Sequence, residues 1–404
     1  MHQSETVWEF SMAERVKFGV GAAEELPSAI TERNAESVLL LTDPGIEDAG
    51  IVTYLTGLLD AADVEYHVYT DVEPEPSLGV YESAIQLAED RSPDLVIGVG
   101  GGSSMDVAKT TSAVTAADGS ILEYATPPTG DGKPLPDTGI PCFCLPTTAG
   151  TGSETSPVAV ISVPEEALKG GISSRHLLPQ LAIVDPNLAI SLPPEPTAFS
   201  GMDALGHAVE AYTAIPFDAK PRPSTPRDRP EYNGRSILTD QFARKAIDLI
   251  GRNLRRAVDN GYDVEARRNM ALASLMAGMA FTNAGTTAAH ALAMATGAEY
   301  DVPHGIAVAM FLPEVVRFNA PSVPDRCDDI VRLLGEDPDE TSAGDAIANL
   351  RADVRLPRGL NAFDITRDQV PQIAEKASRL DRLLSKNVRR MTKTDLEGVL
   401  ERSL

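Results

Sequence analysis

Between residues 38 and 103 the hydrophobic period of the chain switches back and forth. Short apolar runs at 38–42, 64–69 and 95–99 alternate with longer amphipathic segments near 48–62, 77–90 and 103–116. A strand followed by a helix and then another strand implies a parallel sheet with helices on both faces. Further apolar runs at 141–145, 157–163 and 181–184 are expected to extend that sheet. From Pro196 onward the strand signal fades and helical periodicity takes over. The expected fold is therefore an α/β N-terminal domain over residues 1–190 and an all-α C-terminal domain over 191–404. Ser191-Leu192-Pro193-Pro194-Glu195-Pro196 serves as linker.

Two glycine-rich turns interrupt the α/β half. After the strand at 95–99 comes Gly100-Gly101-Gly102-Ser103, leading into a helix. Glycines let backbone approach a phosphate, and a helix N-terminus offers free N–H groups and a positive dipole end. The spacing is not GxGxxG, and a tight turn is the plainer alternative. A second cluster, Thr147-Thr148-Ala149-Gly150-Thr151-Gly152-Ser153-Glu154, also follows a strand. Its hydroxyls and bare N–H groups suit ribose and pyrophosphate. Asp43, ending the first strand before Pro44, is either a ribose 2′-OH acceptor that repels a 2′-phosphate or an Asx-turn residue.

The helical half holds three of the six histidines in one pattern. Asp203 and His207 stand at i, i+4, on one helix face. His290 and His304 follow downstream. One carboxylate and three imidazoles make a ligand set for Fe(II), Zn(II) or Mn(II); a salt bridge within a helix or a core histidine is the bland reading.

Composition narrows the partners. The net charge is −24, with lysine scarce beside arginine. Such a surface repels nucleic acid and anionic membranes, and it suits a salt-rich cytoplasm, where screening removes self-repulsion. Three cysteines argue against a disulfide framework and for a reducing compartment. Cys142-Phe143-Cys144 reads as buried strand rather than as metal site. The N-terminus shows no basic and apolar leader pattern. The uncharged stretch 270–298 is long enough for a membrane span, but Asn283-Ala284-Gly285-Thr286-Thr287 breaks it, so two buried helices are expected. Between Ile215 and Gly234 five prolines mark a long irregular loop. It carries Lys220, Arg222, Arg227 and Arg229, with Arg235 just beyond. This cationic island is a solvated excursion or a subunit contact, or else it holds a substrate carboxylate.

Taken together, these motifs resemble the iron-containing (group III) alcohol dehydrogenases. The carrying residues are Gly100 to Ser103 with Asp106 and Lys109, and Thr147 to Glu154. Gly201 to Tyr212, Pro303-His304-Gly305, and Asn387, Arg389, Thr392 and Asp395 complete the set. The resemblance spans essentially the whole chain. It implies a Rossmann-like N-terminal domain, a helical metal-binding domain, and a site in the cleft between them. It makes Asp203, His207, His290 and His304 metal ligands that act in catalysis through the metal, Fe2+ or alternatively Zn2+ or Mn2+. Gly100, Gly101, Gly102 and Ser103 would bind pyrophosphate, and Thr147, Thr148 and Thr151 would line the nicotinamide side. Lys169 looks like the cofactor-side lysine, and Asp43 like the acid favouring NAD over NADP. Many members carry a second histidine four residues after the third ligand; here Met294 stands there, which removes that proton relay. The insert after Ala214 resembles the hydroxyacid–oxoacid transhydrogenase branch.

The expected activity is metal-dependent hydride transfer between an alcohol or hydroxyacid and NAD(P), in a cytoplasmic homodimer or higher homo-oligomer. The alternatives are a transhydrogenase, a metal- and NAD-using lyase of related fold, and a nucleotide-binding protein without activity. A lyase would return NAD unchanged.

Overall fold

The computed structural model describes residues 5–127, 129–163 and 168–404, and the side chains at 163, 168, 169, 227 and 298 lie outside that description. Two compact units emerge, one of Met12–Leu192 and the other of Met1–Ser11 with Pro193–Leu404.

The first unit is built on eight strands: β1 (Arg15–Phe18), β2 (Ser37–Leu41), β3 (Glu65–Tyr69), β4 (Leu95–Gly100), β5 (Cys142–Pro146), β6 (Val158–Val163), β7 (Leu168–Ser173) and β8 (Leu181–Val184). Six of them form one parallel sheet in the order β1-β8-β5-β4-β2-β3. Strands buried on both faces are apolar at every position, and their side chains alternate between two cores. Leu95, Ile97 and Val99 join Phe143 and Leu145 on one side. Val96, Cys142 and Cys144 face Met105 and Ala108 on the other. The two cysteines are thus free, buried strand residues.

One expected strand departs from the sheet. The run at 157–163 does not extend it; β6 pairs antiparallel with β7 in a separate hairpin. Strand β5 already has β4 and β8 as neighbours, so no open edge is available beside it, and the sequence-adjacent β7 is the nearest partner. Neither β7, with Gly170-Gly171, nor the four-residue β1 carried a clear apolar pattern.

A buried ion pair pins the segment between β5 and β6. Lys109, on the Gly102–Val114 helix, is 1% exposed. Its Nζ donates to the carbonyls of Ser153 (3.0 Å), Ser156 (3.2 Å) and Val158 (2.7 Å), and sits 3.1 Å from Asp106 Oδ1. Asp106 in turn accepts from Ser153 Oγ and from Val160 N. Every charge in this knot has its partners, the condition under which burial is tolerated.

The second unit is helical. Its long helices are Pro194–Thr213, Ile237–Asp259, Val264–Ala284, Ala288–Tyr300 and His304–Asn319. The uncharged stretch becomes the end of one buried helix and most of the next, broken at Gly285. Among the described residues no helix is long and apolar enough to cross a membrane. Residues 5–11, assigned by sequence to the α/β domain, pair instead within this unit: Ser11 N donates to Asn283 Oδ1 at 2.6 Å, and Asn283 Nδ2 donates back to Ser11 O at 2.9 Å. The proline-rich loop holds two single 3-10 turns, Phe217–Ala219 and Pro226–Asp228, and is closed by a bridge between Pro216 and Arg235.

Lys109→Met removes the cation and leaves Asp106 buried beside carbonyls. We expect a loss of about 3–5 kcal/mol, read as a lower urea midpoint for the α/β unit.

Candidate active site

In an open parallel sheet, ligands bind where neighbouring strands send their connections in opposite directions. Here that point lies between β2 and β4. From β2 the chain crosses outward to β3; from β4 it crosses the other way to β5. The carboxyl ends of these two strands carry Asp43 and Gly100-Gly101-Gly102-Ser103. Gly100 has φ +145°, open to glycine, and a Cβ there would lie 2.5 Å from Ser104 Oγ and 3.0 Å from Asp43 Oδ2. Gly101 opens the Gly102–Val114 helix, and no side chain caps it. The free N–H groups of its first turn point out of the strand end, where a phosphate would take them.

The threonine cluster closes around this turn. Thr147 N donates to Gly100 O at 2.9 Å. The methyl of Thr151 fills the space a Cβ on Gly102 would need, at 2.8 Å, and that of Thr148 lies 3.7 Å from such an atom on Gly101. Thr147 Oγ1 is buried without a hydrogen-bond partner among the described residues. Ser103 Oγ accepts from Glu75 N at 3.2 Å, leaving its proton to donate. Asp43 Oδ1 caps the Pro44–Asp48 helix at Ile46 N, as the turn reading expects, and Oδ2 accepts from Ser104 Oγ at 3.1 Å, holding the carboxylate beside the glycines. The side chain of Lys169, on β7, lies outside the described residues.

A second constellation forms in the helical unit. The Pro194–Thr213 helix presents Asp203 and His207 on one face, one turn apart. His290 comes from the Ala288–Tyr300 helix, and His304 is the first residue of the next. Asp203, His207 and His290 offer ligand atoms within 4.8 Å of one another. Asp203 Oδ1 lies 3.5 Å from His290 Nε2 and 3.7 Å from His304 Nε2, while Oδ2 is 4.0 Å from His207 Nδ1. The His207 ring is stacked between Phe281 and His290, at centroid distances of 4.2 and 4.5 Å. Three of the four side chains are buried; that of His304 is 34% exposed and forms the accessible side. Gly305 permits this entry, since a Cβ would lie 2.4 Å from Phe199 O.

Among the described residues, Asp203 Oδ1 and His290 Nε2 are buried with no hydrogen-bond partner. Two such orphaned atoms, facing one another beyond hydrogen-bond range, are costly unless a cation bridges them. Burial opposes ionisation of Asp203, yet the imidazoles of His207, His290 and His304 outweigh it and hold the carboxyl well below its usual range. Burial likewise works against protonation of His290, but Glu210 and Asp203 prevail and raise it to about 9. The pocket attracts positive charge strongly, and its N and O donors suit Fe(II), Zn(II) or Mn(II).

Glu210 is the residue that sequence reasoning missed. It lies at i+7 from Asp203 and i+3 from His207, on the same helix stripe, and that spacing was its only signal. Its carboxylate is saturated: it accepts from Thr287 N, Thr287 Oγ1, Ala289 N and His290 Nδ1. By accepting a hydrogen bond from Nδ1 it fixes the ring of His290 with Nε2 facing Asp203. Met294 stands one helical turn beyond His290 and is half-buried.

The described arginines of the proline-rich loop go to separate places. Arg229 is committed to Glu5 and Glu9, and Arg235 Nε donates to Ala214 O at 2.9 Å. Arg222 is exposed, and the Arg227 side chain lies outside the described residues. Arg229 was already matched by acids near the N-terminus, a long-range pairing that local charge counting cannot detect.

Comparison with known proteins places these sites in context. The family model "Iron-containing alcohol dehydrogenase" matches residues 13–186, and "Fe-containing alcohol dehydrogenase family, C-terminal" matches 233–404. The chain is 37% identical over 390 residues to long-chain-alcohol dehydrogenase 1 of Geobacillus thermodenitrificans, covering 95% of this chain and 93% of that one. It is 33% identical over 418 residues to mitochondrial hydroxyacid-oxoacid transhydrogenase of Mus musculus, covering 98% and 90%. Among solved structures, sulfoacetaldehyde reductase from Bifidobacterium kashiwanohense in complex with NAD+ superposes with a TM-score of 0.85 at 29% identity, covering 99% of both chains.

Glu210→Gln keeps the shape but weakens the orientation of His290. We expect metal affinity to fall about 10- to 100-fold, measured by competition with a chelator of known affinity.

Proposed function

The chain belongs to the iron-containing alcohol dehydrogenase family, and from that premise we propose which of its residues carry the chemistry. It is an NAD(P)-dependent oxidoreductase that moves hydride between an alcohol and the nicotinamide. We assign the metal to Asp203, His207, His290 and His304. The observation that carries this assignment is the pair of orphaned buried atoms, Asp203 Oδ1 and His290 Nε2, with Glu210 behind the imidazole. When bound, a divalent metal supplies Lewis acidity to the alcohol oxygen and eases its deprotonation.

The remaining work falls to the protein. Glu210 and Thr287 keep His290 in one tautomer. Phe281 and the His207–His290 stack wall the pocket with low-polarity surface that excludes water. The partly exposed His304 marks where an alcohol enters. In the α/β unit the first turn of the Gly102–Val114 helix, with Gly100, Gly101 and Ser103, takes the pyrophosphate. Thr147, Thr148 and Thr151 line the nicotinamide side, and the Asp43 carboxylate accepts from an adenosine ribose and repels a 2′-phosphate. Lys169 joins them by its place in the family motif. Hydride transfer then needs the carbinol carbon within about 3–3.5 Å of nicotinamide C4. With Met294 in the relay position, the alcohol proton leaves without help from a second histidine on that helix.

We assign Fe2+ as the native metal, with Zn2+ and Mn2+ as the alternatives that metal analysis decides. We also infer a reducing, cytoplasmic setting from the free buried thiols, and salt adaptation from the −24 charge and scarce lysine. Salt adaptation predicts loss of the cooperative fold when salt is removed.

His207→Ala and His290→Ala should abolish metal binding and turnover while leaving NAD+ affinity largely intact. Metal analysis, steady-state rates and NAD+ titration together check this; full turnover of either variant in excess metal would overturn the ligand assignment. Wild type should prefer NAD+ to NADP+, and Asp43→Gly should narrow the ratio of kcat/KM values by removing the carboxylate that repels a 2′-phosphate.

A further inference from the structure

Three segments far apart in the sequence meet at one side chain of the helical unit. Asn283, in the last turn of the Val264–Ala284 helix, is 2% exposed. Its Oδ1 accepts from Ser11 N at 2.6 Å, and its Nδ2 donates to Ser11 O and to Met279 O, each at 2.9 Å. Its backbone carbonyl accepts from Asn233 N, in the proline-rich loop, at 2.6 Å. The arm of residues 5–11 and that loop are themselves joined. Glu5 N donates to Lys220 O at 2.9 Å, Asn233 Nδ2 donates to Glu9 O at 3.4 Å, and Arg229 pairs with the carboxylates of Glu5 and Glu9. Phe10 stacks on Phe242 at a centroid distance of 5.6 Å.

The helix end that Asn283 grips carries contacts to the proposed metal site on both sides of it. Two residues earlier, Phe281 stacks on His207 at 4.2 Å. Four residues later, Thr287 donates its N–H and its hydroxyl to Glu210, and Ala289 N adds a third bond. Gly285 lies between, at φ +93°. The carbonyls of a last helical turn lack partners within the helix, and helix ends fray. A glycine after them fixes no direction by its own sterics. The course of the turn therefore depends on what grips the helix end and what packs on the glycine. Asn283 provides the grip. Tyr232, from the loop that the arm holds, provides the packing: a Cβ on Gly285 would lie 3.1 Å from its Cδ2.

We propose that Asn283 is a positioning residue for the metal, and that residues 5–11 act through it as a strap that fixes the helix end and so the placing of His207 and Glu210. The proposal rests on the ligand assignment above and adds what holds those ligands. Divalent metals bind tightly where their ligands are kept near the final geometry before the ion arrives, because binding then has less to order. Glu210 orients His290, the Gly285–Ala289 turn orients Glu210, and Asn283 anchors that turn. Arg229 stands at the far end of the same chain of contacts. It touches the carboxylates of the arm, so its loss loosens the strap without removing a ligand or a partner of Glu210.

The test titrates the full-length chain with Co2+ against a chelator of known affinity, in wild type, Asn283→Ala, Arg229→Gln, the double variant and His290→Ala. The Kd for Co2+ should rise about tenfold in Asn283→Ala, the low end for losing an outer partner of a metal ligand. In Arg229→Gln, which tests the strap without altering the helix, it should rise about two- to fivefold. The double variant should bind like Asn283→Ala alone, because both changes cut the same chain of contacts. Visible ligand-field bands of bound Co2+ report its coordination geometry and should change in Asn283→Ala. The rise in Tm on loading should shrink in both single variants. Wild-type Kd values and bands in both, with only the metal-free Tm lowered, would make Asn283 and the arm purely structural and overturn the proposal. Additive losses in the double variant would overturn the claim that the arm acts through Asn283. His290→Ala separates the two readings. If it binds Co2+ as tightly as wild type, the ligand assignment fails and the strap with it; if it loses Co2+ while Asn283→Ala and Arg229→Gln match wild type, only the strap is overturned.

Discussion

His290 sits between two buried carboxylates, and the helical unit is organised around that arrangement. On one side Glu210 accepts a hydrogen bond from Nδ1; on the other, Asp203 faces Nε2 across 3.5 Å. Burying two acids is unfavourable unless the surroundings supply compensating charge and hydrogen bonds. The turn from Gly285 to Ala289 supplies them for Glu210 by aiming two backbone N–H groups and one hydroxyl at it. Only Asp203 is left with an unsatisfied oxygen. That unpartnered oxygen faces the unpartnered Nε2 of His290, and the proposed cation would bridge the two.

The α/β unit solves a different problem with the same economy. At the proposed nucleotide end the glycines leave the backbone bare, so the two loops are held together mostly from elsewhere. The Lys109–Asp106 knot holds them from behind, tying the Thr147–Glu154 segment to the helix that follows the glycines. The Thr151 methyl then fills the space beside Gly102, and Thr147 is hydrogen-bonded to Gly100. Rigid support behind an exposed polar surface is what a preorganised phosphate site needs.

Charge in this protein is read differently according to where it lies. Arg229, conspicuous in the sequence, is spent on Glu5 and Glu9. Lys386, inconspicuous in the sequence, is buried beside Lys220, with the Asp381 carboxylate near enough to favour its charge. A local run of cations says little about binding, because acids far away in sequence can neutralise it.

What the sequence determined by itself was whatever repeats locally or depends on residue type. Strand–helix alternation specified the parallel sheet, because strand and helix periods are imposed by each segment's own side chains. The i, i+4 pair Asp203 and His207, with only six histidines to consider, was legible for the same reason. Glu210 obeyed the same spacing and was overlooked, since a carboxylate on a helix has many ordinary explanations until its partners are seen. Other features were decided only by tertiary structure. The run at 158–163 left the sheet for a hairpin because β5 was already flanked on both sides. Residues 5–11 joined the helical unit through contacts such as Ser11 with Asn283, far away in sequence. Strand neighbours, ion-pair partners and unsatisfied buried atoms are properties of pairs brought together by folding. Periodicity along one chain carries no record of which distant residue will stand opposite.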